Sequence, residues 1–236
     1  MEQNFILDTR CLTKQYGKSL PPALNNVSLR LCSGRIVGLL GPNGSGKTTL
    51  IKLLNGLLTP SSGEIYIDGN PVGIETKKVV AYLPDRDFLP QGMSVDGALN
   101  YYGDFFEDFS RDRALTMLSR LGISTSAKIK TLSKGNREKV SLILTMSRDA
   151  KLYLLDEPIA GVDPATRDYI LNTIITNRAP GSTVIISTHL IADVEQVLDD
   201  VIFIKNGTIE MFRSAAEVRE TEGKSVDELF REVYRW

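Results

Sequence analysis

Short apolar runs alternate with stretches of helical periodicity along most of this chain. The segments FILDTRCLTK, VSLRL, RIVGLLG, GEIYIDG and VVAYLP each predict a strand, and a helix is expected at about residues 46–55. The alternation resumes after residue 150 with the strands KLYLLDEP and STVIIST. Because strands that alternate with helices indicate βαβ units, the predicted fold class is α/β with a parallel sheet.

The middle of the chain has a different pattern. Residues 95–147 are predicted to be helical throughout, with Leu99, Tyr102, Phe106 and Phe109 at helical spacing. We therefore expect an α-helical subdomain at about residues 90–147, inserted into the alternating part of the chain. The rings of LNYYGDFFEDF are expected to pack the core of this subdomain.

Turn and cap residues predict the remaining elements. Asp163 and Pro164 suit the N-cap and the first position of a helix. Asn206-Gly207 suits the turn of a hairpin formed by VIFIKNGTIEMF. The tail SVDELFREVYRW opens with the capping box Ser225 to Glu228 and has one apolar face, formed by Val226, Leu229, Phe230 and Val233. It should form a docked helix, with a regulatory or dimer contact as the alternative.

Composition limits the partners and the compartment. The 236 residues carry 28 Lys plus Arg and 29 Asp plus Glu, so no global field favours nucleic acid as a partner. Cys11 and Cys32 lack metal-ligand spacing, and MEQNFILDTR lacks the pattern of a signal peptide. No apolar run approaches the roughly 18 residues of a membrane span. We expect a cytoplasmic protein, with any membrane span supplied by another chain.

The segment GLLGPNGSGKTTL carries the strongest chemical signal. It matches the phosphate-loop pattern G-x-x-x-x-G-K-[ST] between a predicted strand and a predicted helix. In such a loop, backbone N–H groups surround the phosphates, the lysine approaches the β and γ oxygens, and the hydroxyl ligates Mg²⁺. The predicted nucleotide site comprises Gly41, Pro42, Asn43, Gly44, Ser45, Gly46, Lys47, Thr48 and Thr49.

Three further residues have the chemistry of nucleotide hydrolysis. Asp156 ends an apolar strand, where an ionised carboxylate is costly without a cation, so a magnesium-linked role is expected. Glu157 follows it and is a candidate base for water that attacks the γ-phosphate. His189 ends the next strand, at the same edge of the sheet. The alternatives are a pair of solvated acids and a histidine of the core or surface.

A second anion-binding signal occurs in LSKGNREKV. Ser133 and Gly135 precede an apolar-periodic stretch, so their backbone N–H groups would lie at a helix N-terminus, where anions bind. The chain therefore has two candidate phosphate-binding loops.

Taken together, GPNGSGKT, LSKGN, LLDEP and STHL, in this order and with a helical insert before the second, resemble the motifs of the ATP-binding subunit of ABC transporters. The resemblance covers nearly the whole chain. It implies a P-loop NTPase fold with a RecA-like core, a small antiparallel β part and the inserted helical subdomain. Residues 1–212 would form the ATP-binding domain and residues 213–236 a C-terminal helical tail.

The resemblance also implies ATP and Mg²⁺ as cofactors and ATP hydrolysis coupled to transport. Two copies, in a homodimer or heterodimer, would close head to tail, so that Ser133, Gly135 and Asn136 of one copy contact the γ-phosphate held by the other. Separate permease subunits would span the membrane and hold the chain at its inner face. The exposed rings of LNYYGDFFEDF would then line a groove for a permease helix.

Individual roles follow from the same motifs. Tyr16, in LTKQYG, matches the aromatic residue that stacks on adenine, with loop packing as the alternative. Asp163 matches the aspartate that meets the partner subunit. The expected catalytic residues are Lys47, Glu157 and His189.

Four positions depart from the family's pattern. Asp85 stands where a glutamine usually helps to hold Mg²⁺, Lys134 replaces a glycine, Asn136 a glutamine and Ala160 a serine. A water-mediated contact keeps Asp85 in the expected metal site, which comprises Thr48, Asp85 and Asp156.

The alternatives to a transport ATPase are a soluble ABC ATPase and a cassette with weakened hydrolysis. A soluble ABC ATPase that acts on DNA or ribosomes would carry a long coiled coil or a second cassette. A P-loop kinase would leave LSKGN unexplained. Asp85 is the feature that favours weakened hydrolysis.

Overall fold

The computed structural model describes residues 5–17 and 19–234. These residues form two sheets, whose strands are β1 (Phe5–Lys14), β2 (Leu24–Cys32), β3 (Ile36–Leu40), β4 (Ser62–Ile67), β5 (Asn70–Pro71), β6 (Val80–Leu83), β7 (Leu152–Asp156), β8 (Thr183–Thr188), β9 (Asp200–Lys205) and β10 (Thr208–Ser214). The helices of the same ranges are α1 (Lys47–Leu54), α2 (Ile74–Val79), α3 (Val95–Phe105), α4 (Arg111–Arg120), α5 (Lys134–Met146), α6 (Pro164–Asn177), α7 (Ile191–Val194), α8 (Ala215–Glu222) and α9 (Val226–Val233).

The larger sheet has six strands in the order β10-β9-β3-β8-β7-β6. Strands β6, β7, β8, β3 and β9 are parallel, and β10 joins β9 as an antiparallel hairpin. The smaller sheet is antiparallel, with the order β2-β1-β4-β5. The predicted α/β fold with a small antiparallel part is thereby confirmed.

Both faces of the larger sheet are buried. In β7, Leu152 and Leu154 face a core shared with α1 and the smaller sheet, whereas Tyr153 and Leu155 face a core shared with α5 to α9. This burial explains why the parallel strands appear in the sequence as continuous apolar runs. Among the described residues, no helix is long and apolar enough to cross a membrane.

The prediction of helix throughout residues 95–147 is wrong. Helix α3 ends at Phe105, α4 spans only ten residues, and α5 begins at Lys134 after irregular chain and a short 3-10 helix, Ile129–Thr131. Phe106 and Phe109 lie beyond the end of α3 and not on it. Their rings still contact that of Tyr102, at centroid distances of 5.4 and 5.6 Å. Residues of an irregular segment thus pack together although only their spacing in the sequence resembles that of a helix.

The predicted caps and turn of the C-terminal region are confirmed. Asn206 and Gly207 have φ angles of 48° and 78°, as a two-residue hairpin turn requires. The capping box of α9 is present, and Val226 and Leu229 are buried in the core beside α7 and α8. Phe230 packs on Phe203 of β9, at a ring distance of 5.4 Å. The tail helix is therefore docked.

Candidate functional site

The candidate site lies at the carboxyl ends of β3, β7 and β8. In this parallel register, Leu40 pairs with Thr188 and Asp156 pairs with Ser187. The loop 41–46, residues 156–157 and His189 therefore leave the sheet at the same edge. This is where ligands bind in open α/β sheets.

The loop 41–46 has a backbone that depends on glycine at two positions. Gly46 has a φ of 112°, and a Cβ there would lie 2.7 Å from the carbonyl oxygen of Ala23. A Cβ on Gly41 would lie 2.4 Å from the carbonyl oxygen of Ile204. The loop is thus folded tightly against its neighbours before it enters α1, whose N-terminal N–H groups suit an anion.

Lys47 is buried at the start of α1. Its Nζ donates hydrogen bonds to the carbonyl oxygens of Gly41 (2.7 Å) and Pro42 (3.2 Å). The same atom lies 3.4 Å from Oε1 of Glu157. The lysine therefore joins the phosphate loop to the end of β7.

Asp156 is fully buried, at 0 % exposure, beside two hydroxyl groups. Its Oδ1 accepts hydrogen bonds from Ser187 (2.6 Å) and Thr48 (3.2 Å), whereas its buried Oδ2 has no hydrogen-bond partner among the described residues. Burial raises the pKa of Asp156 and the charges of Asp85 and Glu157 raise it further, against the two hydroxyl hydrogen bonds, which lower it.

This arrangement fits a hard divalent cation. Mg²⁺ prefers oxygen ligands and is usually held by one or two carboxylates together with phosphate oxygens and water. The partnerless Oδ2 of Asp156 and the adjacent Thr48 hydroxyl provide such oxygens. A bound cation would also offset the cost of burying the carboxylate.

Glu157 has a φ of 51°, a backbone conformation that side chains other than glycine rarely adopt. Its N–H donates to both oxygens of Ser187, the carbonyl at 3.0 Å and the hydroxyl at 3.1 Å. Its carboxylate lies between Lys47 and His189, whose Nδ1 is 3.0 Å from Oε2. The structure therefore brings together the three residues predicted to be catalytic.

Tyr16 lies at the edge of the phosphate loop. Its hydroxyl is 3.3 Å from Oγ1 of Thr49, and the residue is 58 % exposed. The ammonium group of Lys14 lies 5.5 Å from the ring centroid. A ring this exposed contributes little to packing, and the Lys14 ammonium lies over it.

Asp85 lies near this cluster but not in contact with its proposed metal ligands. Its carboxylate is 3.9 Å from Nε of Arg86, and among the described residues no hydrogen bond joins it to Thr48 or Asp156. It lines a cavity of about 320 Å³ with Lys134 and Glu157. Its influence on Asp156 is therefore electrostatic.

Ser133, Gly135 and Asn136 lie apart from the phosphate loop of their own chain. Ser133 is the N-cap of α5, and its hydroxyl accepts a hydrogen bond from the N–H of Asn136 at 3.2 Å. Within the described ranges, no hydrogen bond or ion pair joins residues 133–136 to residues 41–49. The turn at residues 133–136 is thus a surface separate from the loop 41–46.

Asp163 caps α6, as predicted. Its Oδ1 accepts from the N–H of Thr166 at 3.0 Å, and its Oδ2 accepts from the Thr166 hydroxyl at 2.7 Å. These hydrogen bonds lower the pKa of Asp163. Any contact with a partner subunit would come in addition to this capping role.

Ser187 is the site residue that the sequence did not reveal. It contacts both Asp156 and Glu157, although 30 or more positions separate it from them along the chain. The available signal was its position in STHL, two residues before His189, because parallel pairing places the end of β8 beside the end of β7.

Comparisons with known proteins identify the family. A family model for "ABC transporter" matches residues 24–160, more than half of the chain. An ABC transporter ATP-binding protein of Synechocystis sp. is 34% identical over 83% of this chain and 58% of its own length. The Nod factor export ATP-binding protein I of Cupriavidus pinatubonensis is 32% identical over 86% of this chain and 64% of its own length. The chain thus spans about three fifths of these two relatives.

Another relative is close to this chain in length. The SkfA peptide export ATP-binding protein SkfE of Bacillus subtilis is 33% identical, over 86% of this chain and 87% of its own length. Among solved structures, an ATP-binding subunit of an ABC transporter superposes with a TM-score of 0.87 and 28% identity, covering 98% of this chain and all of that one. Motif order, fold and site geometry agree with these similarities. The chain therefore belongs to the ABC transporter family, as one of its ATP-binding subunits.

Proposed function

We propose that this chain binds ATP with Mg²⁺ and hydrolyses it to drive transport through separate membrane subunits. The observation that carries the proposal is the cluster in which Lys47, Glu157 and His189 adjoin the buried Asp156 and the hydroxyl of Thr48. The export functions named for the Nod factor and SkfA relatives support a role in transport.

Binding would use the phosphate loop and the edge of the smaller sheet. The N–H groups of residues 41–49 would surround the phosphates, Lys47 would approach the β and γ oxygens, and Tyr16 would stack on adenine. Thr48 and Asp156 would hold Mg²⁺, with Asp85 contributing through water. When bound, Mg²⁺ neutralises charge on the β and γ oxygens.

Hydrolysis would use water as the acceptor. Glu157 would orient the water and take its proton as the oxygen attacks the γ-phosphorus and the bond to the bridging β,γ-oxygen breaks, which leaves ADP and phosphate. His189, whose Nδ1 lies within 3.2 Å of both oxygens of the Glu157 carboxylate, would hold that carboxylate in place beside the transferred phosphoryl group. Such a base contributes on the order of 10²–10⁴-fold in rate.

A second copy would complete each site. The N-terminal turn of α5 is a helix terminus suited to an anion, yet it forms no contact with the phosphate loop of its own chain. We assign Ser133, Gly135 and Asn136 to the γ-phosphate of the partner copy, and Asp163 to the surface between copies. A cassette of the same fold, 23% identical with a TM-score of 0.77, was solved as a dimer bound to ADP and phosphate, so this fold can form nucleotide-bound dimers.

The permease would dock beside the helical subdomain. A groove of about 510 Å³ is lined by the exposed side chains of Ile74, Tyr101 and Phe105. Tyr102, by contrast, is buried in the subdomain core, so the two interpretations of the aromatic segment apply to different faces of it. We propose that this groove takes a cytoplasmic helix of the permease and holds the chain at the inner face of the membrane. Residues 1–212 would then act as the cassette and residues 213–236 as its tail.

Phosphate release by the purified chain tests the proposal. We expect release from ATP that requires Mg²⁺ and disappears in EDTA, together with co-purification of membrane proteins from the source cells. ATP binding without release would instead identify a cassette with weakened hydrolysis, which the like charge of Asp85 near Asp156 favours. Release without any membrane partner would favour the soluble ABC ATPase.

A further inference from the structure

Ser187 contacts both acidic residues of the proposed catalytic centre, the carboxylate of Asp156 and the backbone N–H of Glu157. It is the penultimate residue of β8, pairs with Asp156 in the parallel register and is 0 % exposed. Its hydroxyl donates a hydrogen bond to Oδ1 of Asp156 at 2.6 Å and accepts one from the N–H of Glu157 at 3.1 Å. One buried hydroxyl therefore connects the proposed metal ligand with the proposed base.

The bond to Asp156 makes the two carboxylate oxygens unequal. Oδ1 accepts from Ser187 and from Thr48, whereas Oδ2 is buried and has no hydrogen-bond partner in the part of the chain that the structure describes. Two donors on one oxygen fix the plane of the carboxylate and leave the other oxygen for a cation. The proton that Thr48 gives to Oδ1 also leaves the lone pairs of the threonine oxygen available.

The hydrogen bonds that the N–H of Glu157 donates to Ser187 hold Glu157 in an unfavourable backbone conformation. Its φ of 51° persists only where the surroundings impose it. Both acceptors of its N–H belong to Ser187, the carbonyl oxygen at 3.0 Å and the hydroxyl oxygen at 3.1 Å. This backbone places the side chain between Lys47 and His189.

We propose that Ser187 is a positioning residue for both acidic residues. It orients the Asp156 carboxylate so that Oδ2 is available to Mg²⁺, and it holds the backbone of Glu157 in its left-handed conformation. The inference rests on the proposed function. Groups that hold a metal ligand in place commonly change metal affinity or activity by about 10–100-fold when they are removed. Ser187 acts through Asp156 and Glu157 and does not touch the nucleotide.

Two substitutions of nearly equal shape isolate the hydroxyl. Ser187→Thr keeps it and adds a methyl group, whereas Ser187→Val adds the same bulk and removes it. The measurement is the affinity for a fluorescent ATP analogue carrying a methylanthraniloyl group, in Mg²⁺ and again in EDTA. The ratio of the two affinities reports the contribution of the cation, separately from hydrolysis.

We expect this ratio to fall by about 10–100-fold in Ser187→Val and to stay within about threefold of wild type in Ser187→Thr, with binding in EDTA unchanged in both. The catalytic rate should follow the same order. Equal ratios in the two variants, or a wild-type ratio in Ser187→Val, would overturn the inference. If Ser187→Val does not fold, Ser187→Ala replaces it with the same expectation.

Ser147→Ala is the matched control. Ser147 is also 0 % exposed, but within residues 5–17 and 19–234 its hydroxyl has no hydrogen-bond partner, so its removal should change neither affinity. A wild-type chain that binds no ATP in Mg²⁺ would contradict the proposed function itself. A wild-type chain that shows Mg²⁺-dependent binding unaffected by Ser187→Val contradicts only the role of Ser187.

Discussion

The ammonium nitrogen of Lys47 lies 3.4 Å from Oε1 of Glu157. The lysine is 5 % exposed and the glutamate side chain 15 %, so bulk solvent screens this pair weakly. The contact links two motifs that lie far apart along the chain, the phosphate loop and the end of β7. The only described partners of the Glu157 carboxylate are Lys47, which lies near Oε1, and His189, whose Nδ1 lies 3.2 Å from Oε1 and 3.0 Å from Oε2.

The first prediction concerns Lys47 as a phosphate ligand. Lys47→Ala removes a buried cation from the loop, and hydrogen bonds to charged groups contribute about 1.5–3 kcal/mol, so ATP affinity should fall by about 10–100-fold. Titration with a fluorescent ATP analogue measures this. Lys52→Ala, in the last turn of the same helix, is the control and should bind normally. Normal binding by Lys47→Ala would refute the assignment.

The second prediction separates the two interpretations of Tyr16. Tyr16→Ala should weaken ATP binding by about 1–2 kcal/mol, on the scale of one aromatic stack, whereas Tyr16→Trp should bind well. Tyr16→Phe, which loses only the hydroxyl contact to Thr49, should remain close to wild type. Because the ring is largely exposed, thermal stability should hardly change. A loss of stability with unchanged ATP affinity would instead support loop packing.

The third prediction uses the charge of Asp85. The pKa of Asp156 is raised on folding from its usual value of 3.8. Its ionised carboxyl therefore lowers the free energy of unfolding at pH values above the raised pKa, and this loss is absent at pH values below 3.8. Asp85→Asn removes part of the repulsion and should therefore stabilise the free chain at pH 7. Since Asp85 is partly exposed, we expect a gain in melting temperature of only about 1–2 °C.

The pH dependence and a neighbouring residue supply the controls for Asp85. The gain should shrink as the pH falls from 7 towards 4, because the raised pKa of Asp156 means that its carboxyl becomes protonated on the way and the repulsion is lost. Asp87→Asn, which breaks an ion pair of 2.9 Å with Arg137, should give no gain. A lower melting temperature for Asp85→Asn at pH 7 would show that Asp85 does not repel Asp156.

Much of the fold and of the site could be predicted because the determinants are local. The glycines of the phosphate loop, the Asn206-Gly207 turn and the Asp163 cap each depend on a few consecutive residues. Helix α2 was not predicted, since Ile74 at its start is exposed and gives no amphipathic pattern. The role of Ser187 depends on the pairing of β7 with β8, which sequence spacing alone does not reveal.

In the helical subdomain, by contrast, the sequence pattern predicted helix where the structure has irregular chain. Tyr102, Phe106 and Phe109 fit helical spacing, yet the helix ends at Phe105 and the later rings contact Tyr102 from irregular chain. Ser110 then caps α4, accepting a hydrogen bond from the N–H of Arg113. The periodicity therefore indicated which side chains pack together. It did not indicate where the helices begin and end, which depends on caps such as Ser110.

The fourth prediction concerns the shared site. We consider a Glu157→Gln copy, which should bind ATP without hydrolysing it, and a Gly135→Asp copy, whose N-terminal turn of α5 should repel phosphate. A Cβ on Gly135 meets nothing within 4 Å, so the fold should tolerate this substitution. Each variant alone should be nearly inactive. A mixed dimer has one site with an intact phosphate loop, Glu157 and partner turn, so mixing should restore part of the activity.

Phosphate release against mixing ratio measures this recovery, once sizing has shown that mixed dimers form. A Gly135→Ala copy is the control, because it adds no charge and should need less rescue. If each chain used its own turn at residues 133–136, both copies would stay defective in every pairing. A flat response would then contradict the assignment of this turn to the partner's γ-phosphate.

The central claim is that Glu157 makes the chain an ATPase, and one variant tests it most directly. Glu157→Gln keeps the shape of the side chain but removes the proton acceptor, so turnover should fall by about a hundredfold while ATP binding in Mg²⁺ stays within about threefold of wild type. Steady-state phosphate release and titration with a fluorescent ATP analogue, performed on the same preparation, give both values. Loss of turnover with retained binding is the result we predict, and turnover near that of wild type would contradict the account.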